Sequence, residues 1–339
     1  MRRLLQVLAI LTVIGALAVG GLAWWGNQWL QQPIAGLQER MTFEVPRGAH
    51  MRSVAANLQE RGLLDQPDVW IVWARLMRRD VALKAGEYEL QPGLTPKGLL
   101  ALLSSGQVVL HSITLIEGST FADVRNALAA NEAVRNDNRE RNDDEIMRAL
   151  GEVGLHAEGQ FFPDTYRFPR GTTDLELLTI AHRRMQDELR KAWEQRAADL
   201  PLASAYEALI LASIVEKETA LERERAQIAG VFIERLRRGM RLQTDPTVIY
   251  GMGLTYDGNI RRADLSRDTP YNTYTRTGLP PTPICMPSVE SLQSAVQPDV
   301  SGALFFVATG AGDGSHYFSK TLAEHNLAVK RYLRELRRR

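Results

Sequence analysis

The sequence predicts an α+β protein tethered to a membrane by an N-terminal transmembrane helix and continuing into a small mixed module and a larger mixed α/β domain. Three observations predict it. An apolar stretch runs from Leu4 to Trp25; a strand-turn-helix pattern occurs twice, seventy positions apart; and the second half carries consecutive long helical patterns, one of them apolar on every side.

With 339 residues, 45% hydrophobic and 24% charged, the chain has the composition of an ordinary multi-domain globular protein. Its 41 lysines and arginines balance 40 acids. That near-neutral balance supplies no electrostatic footprint for nucleic acid, so no nucleic-acid partner is expected.

Taken in order, the first element is the apolar stretch. It follows Met1-Arg2-Arg3 and is long enough to cross a hydrocarbon core of about 30 Å. It is also longer than the roughly 7–15 residues of a cleaved signal's apolar region. Arg2 and Arg3 would hold the N-terminus in the cytoplasm, with Trp24 and Trp25 at the far interface. The body of the chain would then lie outside the inner membrane. A cleavable signal ending near Ala16-Leu17-Ala18 would export it equally. In such a compartment the lone Cys285 can form no internal disulfide, and its proline-rich surroundings, PPTPICMP, suit a buried structural thiol.

A polar connector, Asn27 to Arg40, is expected next. Phe43 to Val45 then alternates as a strand, Pro46 to Gly48 turns, and Met51, Val54, Ala55 and Leu58 space as a helix. The same pattern returns at Ile113, Leu115, Gly118, Phe121, Val124 and Leu128, an internal repeat of one β-turn-α unit. Between the copies lie a helix over Val69–Met77, a strand over Gly86–Leu90, and a helix opened by Thr95-Pro96 and closed near Gly106. Trp70 and Trp73 in the first of these helices read as core rather than as a sugar platform. Phe43 to Gly106 is thus a β-α-α-β-α module. The charged stretch Asn131 to Glu145 reads as an exposed excursion, and a long amphipathic helix is expected from Asp174 to Leu200.

The helix after Pro201–Ser204 is apolar all round through Val215, then ends in Glu216-Lys217-Glu218-Thr219. A second helix follows from Glu222 to Arg238, stopped by Gly239. A carboxylate closing an apolar helix loses hydration, which raises its pKa and lets it hold a proton near neutral pH. That is the property a general acid for glycosidic cleavage requires. Periodicity alone leaves Glu216 and Glu218 both open.

LASIVEKET (Leu211 to Thr219), RLQTDPTVIYGMG (Arg241 to Gly253), YNTYTRTGLPP (Tyr271 to Pro281) and SHYFSKTLAEHN (Ser315 to Asn326) together resemble the MltG (YceG-like) endolytic murein transglycosylases. EGQFFPDTY (Glu158 to Tyr166) and the N-terminal anchor fit the same family. The resemblance implies three regions: 1–26 as cytoplasmic N-terminus and transmembrane anchor, 41–108 as a LysM-like glycan-binding module, and 109–335 as the transglycosylase domain. It implies Glu218 as the single catalytic acid and base, with Glu216 as second choice. The bond cleaved would be the β-1,4 linkage between N-acetylmuramic acid and N-acetylglucosamine, leaving a 1,6-anhydro end. Thr219, Gln243, Tyr271, Asn272, Tyr274, Glu158 and Tyr166 are the expected substrate-binding residues. Asp245, before Pro246, reads as a helix N-cap. Ligands would be peptidoglycan glycan strands, with a glycan synthase as a partner by analogy. No cofactor or metal is expected, since His316, Glu324 and His325 form no compact ligand pair and read as structural hydrogen-bonding groups. A lysozyme-like muramidase, with Asp245 or Glu158 as second carboxylate, and a non-catalytic glycan-binding scaffold remain the alternatives.

Overall fold

The computed structural model describes residues 2–78 and 83–338. They form two compact units, one of Met1–His111 with Arg167–Gly171, the other of Ser112–Tyr166 with Thr172–Arg339.

The first unit begins with α1 (Arg2–Gln31), a 30-residue helix whose apolar window is entirely exposed. It continues with β1 (Met41–Val45), α2 (Met51–Glu60), α3 (Pro67–Leu76), β2 (Gly86–Leu90) and α4 (Pro96–Ser105), the β-α-α-β-α order expected from the pattern. β1 and β2 pair antiparallel with Phe43 opposite Tyr88, and alternation sends Phe43, Val45, Tyr88 and Leu90 into one core. Leu58, Trp70, Leu99 and Leu103 close it from the helices, and the buried Trp70 indole donates to the Pro96 carbonyl at 2.8 Å. Thr95 caps α4 at Gly98 N (3.0 Å), and Gly106, at φ 78°, ends it in the left-handed conformation.

The expected polar connector after the anchor is not one. α1 runs through it to Gln31, and Leu30, Ile34 and Leu37 are buried in the module's core. Trp29 Nε1 donates to Asp65 (2.8 Å) and Ile34 N to Leu94 O (2.9 Å). The apolar residues scattered through this polar stretch have a partner surface that a local reading does not reveal.

The repeat of β1 and α2 is β3 (Leu110–Thr114), whose Ser112 begins the second unit, and α5 (Phe121–Ala130). Each matched pair is buried: Phe43 with Ile113, Val45 with Leu115, Met51 with Phe121, Val54 with Val124, Leu58 with Leu128. Gly48 and Gly118 both turn at positive φ, 77° and 72°. Next come β4 (Val134–Arg135), α6 (Asp143–Ala149), β5 (Thr165–Pro169) and β6 (Thr172–Thr173). The charged stretch is therefore only partly an excursion. β4 pairs parallel with β6, and buried Asn138 donates through Nδ2 (2.7 Å) and its backbone N (3.0 Å) to the buried Asp174 carboxylate.

α7 (Asp174–Glu194) stops short of the expected Leu200, where Ala197 N is drawn to Val296 O at 2.9 Å. α8 (Ala205–Glu218) is buried continuously from Ala208 to Val215 and forms the axis of the core. α9 (Glu222–Arg237), α10 (Asp245–Met252), α11 (Arg262–Ser266) and α12 (Val289–Val296) follow. The unit ends with the hairpin of β7 (Phe305–Ala308) and β8 (His316–Ser319) and with α13 (Leu322–Arg338).

Candidate active site

The C-terminal turn of α8 is where the buried helix surfaces, and the two glutamates meet different surroundings. Glu216 Oε2 accepts from Ser288 N (2.9 Å), Ser288 Oγ (2.5 Å) and Ser291 Oγ (2.7 Å), while Arg225 Nη2 stands 3.4 Å from Oε1. Its side chain is 6% exposed. Three donors converge on this one oxygen and tie α8 to the start of α12, whose N-cap is Ser288, so the Glu216 carboxylate acts as a strut between the two helices.

Glu218 is partly exposed and lines two cavities of this unit. The larger, about 780 Å³, is charged and lies along Thr114–Gly118, Pro163–Thr165 and Glu216–Ala220, with Arg225 in its wall. The smaller, about 420 Å³, is walled by Arg235, Gln243, Asp245 and Tyr274 with Phe305, Phe306 and His325. Desolvation raises the Glu218 pKa to about 7, and the negative charge of Asp245 pushes in the same direction. A hydrogen bond from Thr244 Oγ1 and the positive charge of Arg235 oppose the rise. The carboxyl is thus divided between acid and base near neutral pH, which is what sequential proton donation and acceptance by one group needs.

Thr244 is itself held in place by hydroxyls. Its N donates to Thr273 Oγ1 (3.1 Å), Thr247 Oγ1 donates to its carbonyl (2.8 Å), and the Thr247 and Thr273 hydroxyls lie 2.9 Å apart. All three threonines are buried. Gln243 stands at φ 50°, a left-handed position that a non-glycine residue occupies only when its surroundings impose it. Its N donates to Thr273 O at 3.1 Å. The result is an exposed amide at the rim of the smaller cavity, next to the residue that bonds Glu218.

The profile of the YceG-like family matches residues 43–331. The chain belongs to the YceG-like family. This YceG-like protein is 28% identical over 334 residues to an endolytic murein transglycosylase of Bacillus subtilis, an alignment covering 94% of this chain and 91% of that one. It is 26% identical over 368 residues to an endolytic murein transglycosylase of Streptococcus pneumoniae, covering 96% of this chain and 65% of the pneumococcal protein. Among solved structures it resembles a YceG-like protein from Listeria monocytogenes, with TM-score 0.52 and 29% identity over 85% of this chain and 99% of that one.

Of the residues expected at the site of this YceG-like protein, Glu218, Gln243 and Tyr274 meet at the smaller cavity, and Thr219 lines the larger. Thr219 Oγ1 also accepts from Leu221 N (3.0 Å), setting the turn into α9. Tyr274 donates to Asp245 Oδ1 at 2.6 Å. Asp245 is not the N-cap; Thr244 occupies that place, and Asp245 follows at the first helical position. The other four line neither cavity. Asn272 is 1% exposed, and its amide donates to the carbonyls of Asp264, Leu265 and Arg267, so it staples its own loop. Tyr271 shares a hydrogen bond with Thr282 (2.8 Å) and packs edge-on to Tyr250. Tyr166 donates to Phe162 O at 2.6 Å. Glu158 is 4% exposed and accepts from Phe121 N (2.9 Å) and Tyr250 Oη (3.0 Å), with burial raising its pKa to about 7.

Sequence reasoning missed Thr244, Thr273 and Arg235 as the surroundings of Glu218, and His325. The threonines in LQTDPT and YNTYT carry a signal, but their pairing is visible only in space. His316 and Glu324 are structural, as expected: His316 Nδ1 lies 2.7 Å from Glu224, and Glu324 accepts from Lys320 N and Thr321 N. His325 departs from that expectation. It stacks on Phe305, and its buried Nδ1 has no hydrogen-bond partner among the described residues. Cys285 is fully buried, with burial holding its thiol well above the ordinary range.

Proposed function

We propose that this YceG-like protein is an endolytic murein transglycosylase that cleaves N-acetylmuramic acid–β-1,4–N-acetylglucosamine bonds, with Glu218 as acid and then base. The observation that carries this is a single carboxyl poised near pH 7 and shared by two adjoining cavities. A glycan strand laid through both would bring one glycosidic oxygen to Glu218. Protonation of that oxygen by Glu218 releases the N-acetylglucosamine side. The resulting carboxylate takes the proton of the muramic C6 hydroxyl as that oxygen closes on C1, so the atoms balance without water. The relatives bearing this activity by name support the same reading.

The wider setting is part of the proposal. α1 would be a single-pass anchor with its N-terminus in the cytoplasm and both units in the periplasm, the first unit would be a LysM-like glycan-binding module, and glycan synthases would be neighbours. One observation favours a second reading: Asp245 shares the smaller cavity with Glu218, as the two carboxylates of a hydrolase would. Digestion of purified peptidoglycan by the full chain in detergent, with mass spectrometry of the glycan ends, separates the readings. Anhydro ends that vanish in Glu218→Gln and persist in Glu158→Gln support the transglycosylase. Reducing ends would establish the hydrolase, and products unchanged in Glu218→Gln would remove Glu218 from the mechanism.

A further inference from the structure

α3 is apolar on the wrong side. Its inner face, Trp70, Ile71 and Ala74, is buried in the first unit's core. A surface helix should then turn polar. Instead Val72, Leu76 and, just past the helix end, Met77 are 56%, 72% and 51% exposed, flanked by exposed Arg75 and Arg78. These residues do not look into open solvent alone. Val69, Val72 and Leu76 share an apolar groove of about 500 Å³ with Val19, Leu22 and Gly26 of α1. The helices approach so closely that a methyl group on Gly26 would stand 3.5 Å from Val69 Cγ1.

The depth of α3 follows from that neighbour. A helix needs about 20 residues to cross the hydrocarbon core. A span starting at Leu4 therefore ends near Ala23, with Trp24 and Trp25 at the headgroup level. Val19 and Leu22 lie within it, and a helix sharing a groove with them lies at the boundary of acyl chains and headgroups. The unit has little freedom to swing away, because α1 continues unbroken to Gln31 and buries Leu30 in the unit's own core.

We propose that α3 is a membrane-interface helix, its Val72–Leu76–Met77 face immersed in lipid beside α1 and its Arg75 and Arg78 reaching anionic headgroups. This rests on the reading of α1 as a membrane anchor. The occupant is a lipid surface, because the patch is continuous with the lipid-facing side of α1 and carries cations at its edge. The first unit is thereby seated on the bilayer and does not hang from it on a tether.

The test uses the full chain in vesicles of phosphatidylcholine and phosphatidylglycerol. A nitrobenzoxadiazole label is placed singly at Leu11→Cys, Val72→Cys, Leu76→Cys or Val153→Cys, the last being 79% exposed in the other unit. The buried Cys285 is left in place, and the unsubstituted chain serves as the blank. Quenching is compared between lipids carrying a nitroxide high or low on the acyl chain. We expect the Leu11 label to be quenched most by the deep nitroxide. The labels at 72 and 76 should be quenched most by the shallow one, with at least about twice the loss of emission seen at 153. Labels at 72 and 76 that behave like 153 while Leu11 is quenched would overturn the proposal and leave the anchor standing. An unquenched Leu11 would remove the anchor, and the proposal with it. Shielding at 72 and 76 that depends on protein concentration and not on the nitroxide would assign the patch to a second copy of the chain.

Discussion

Glu216 and Glu218 are two residues apart, yet one is held by four donors and the other is left to a single threonine and two cavities. Their variants should therefore fail differently. Glu218→Gln should lower the rate of glycan cleavage by about 10²–10⁴-fold with the protein folded, measured as product formation at fixed circular dichroism. Because the first step needs the protonated acid, the wild-type rate should fall as pH rises past about 7. The same group makes a stability prediction. Its folded pKa of about 7 lies above the ordinary 4.5, so the folded chain binds the proton more tightly and loses stability as pH rises through that window. Glu218→Gln should thus be more stable than wild type at pH 8, by about 1–3 kcal/mol, and little different at pH 4. Equal stability differences at the two pH values would count against the desolvated carboxyl. Glu216→Ala should behave in the opposite sense, costing roughly 3–5 kcal/mol by stranding Arg225 and the two serines, read as a lowered denaturation midpoint.

At the scale of elements, Glu218 is held by two loops that approach from farther along the chain. The start of α10 brings Thr244 to Glu218, and the turn containing Thr273 fixes Thr244. Thr244→Val removes the donor that opposes the desolvation of Glu218. The alkaline limb of the pH–rate profile should then move upward by about half a unit to one unit, and a downward shift would contradict the assignment. This is also where the sequence stopped being informative. Burial of α8 was legible because eight consecutive apolar or small residues leave no polar stripe, and the β-turn-α repeat was legible because Gly48 and Gly118 punctuate matched apolar positions. The difference between Glu216 and Glu218 was not, since Ser288 and Thr244 lie 72 and 26 residues away from them. Two smaller departures have a related cause: the family resemblance placed Asn272 among the substrate-binding residues, and a local rule makes an Asp before a Pro a cap. In the folded chain three carbonyls of the 264–267 turn consume the amide, and Tyr274 takes the carboxylate.

At the scale of the whole molecule, the N-terminal helix belongs to two structures at once. Its apolar stretch from Leu4 to Trp25 is exposed, while Leu30, and then Ile34 and Leu37 beyond its end, are buried in the first unit. Residues 27–40, which composition alone marks as a tether, therefore carry part of the fold. Burial of each such side chain is worth roughly 1.5–3 kcal/mol, so the three together supply about 5 kcal/mol or more. That is comparable to the whole stability of a small domain. A soluble chain beginning at Gly26 should keep a cooperative unfolding transition for the first unit in scanning calorimetry. One beginning at Met41 should lose that transition at 25 °C, while the second unit, whose core is its own, still unfolds cooperatively. If the two truncations melt alike, Leu30, Ile34 and Leu37 are passengers and the anchor ends where its hydrophobicity does.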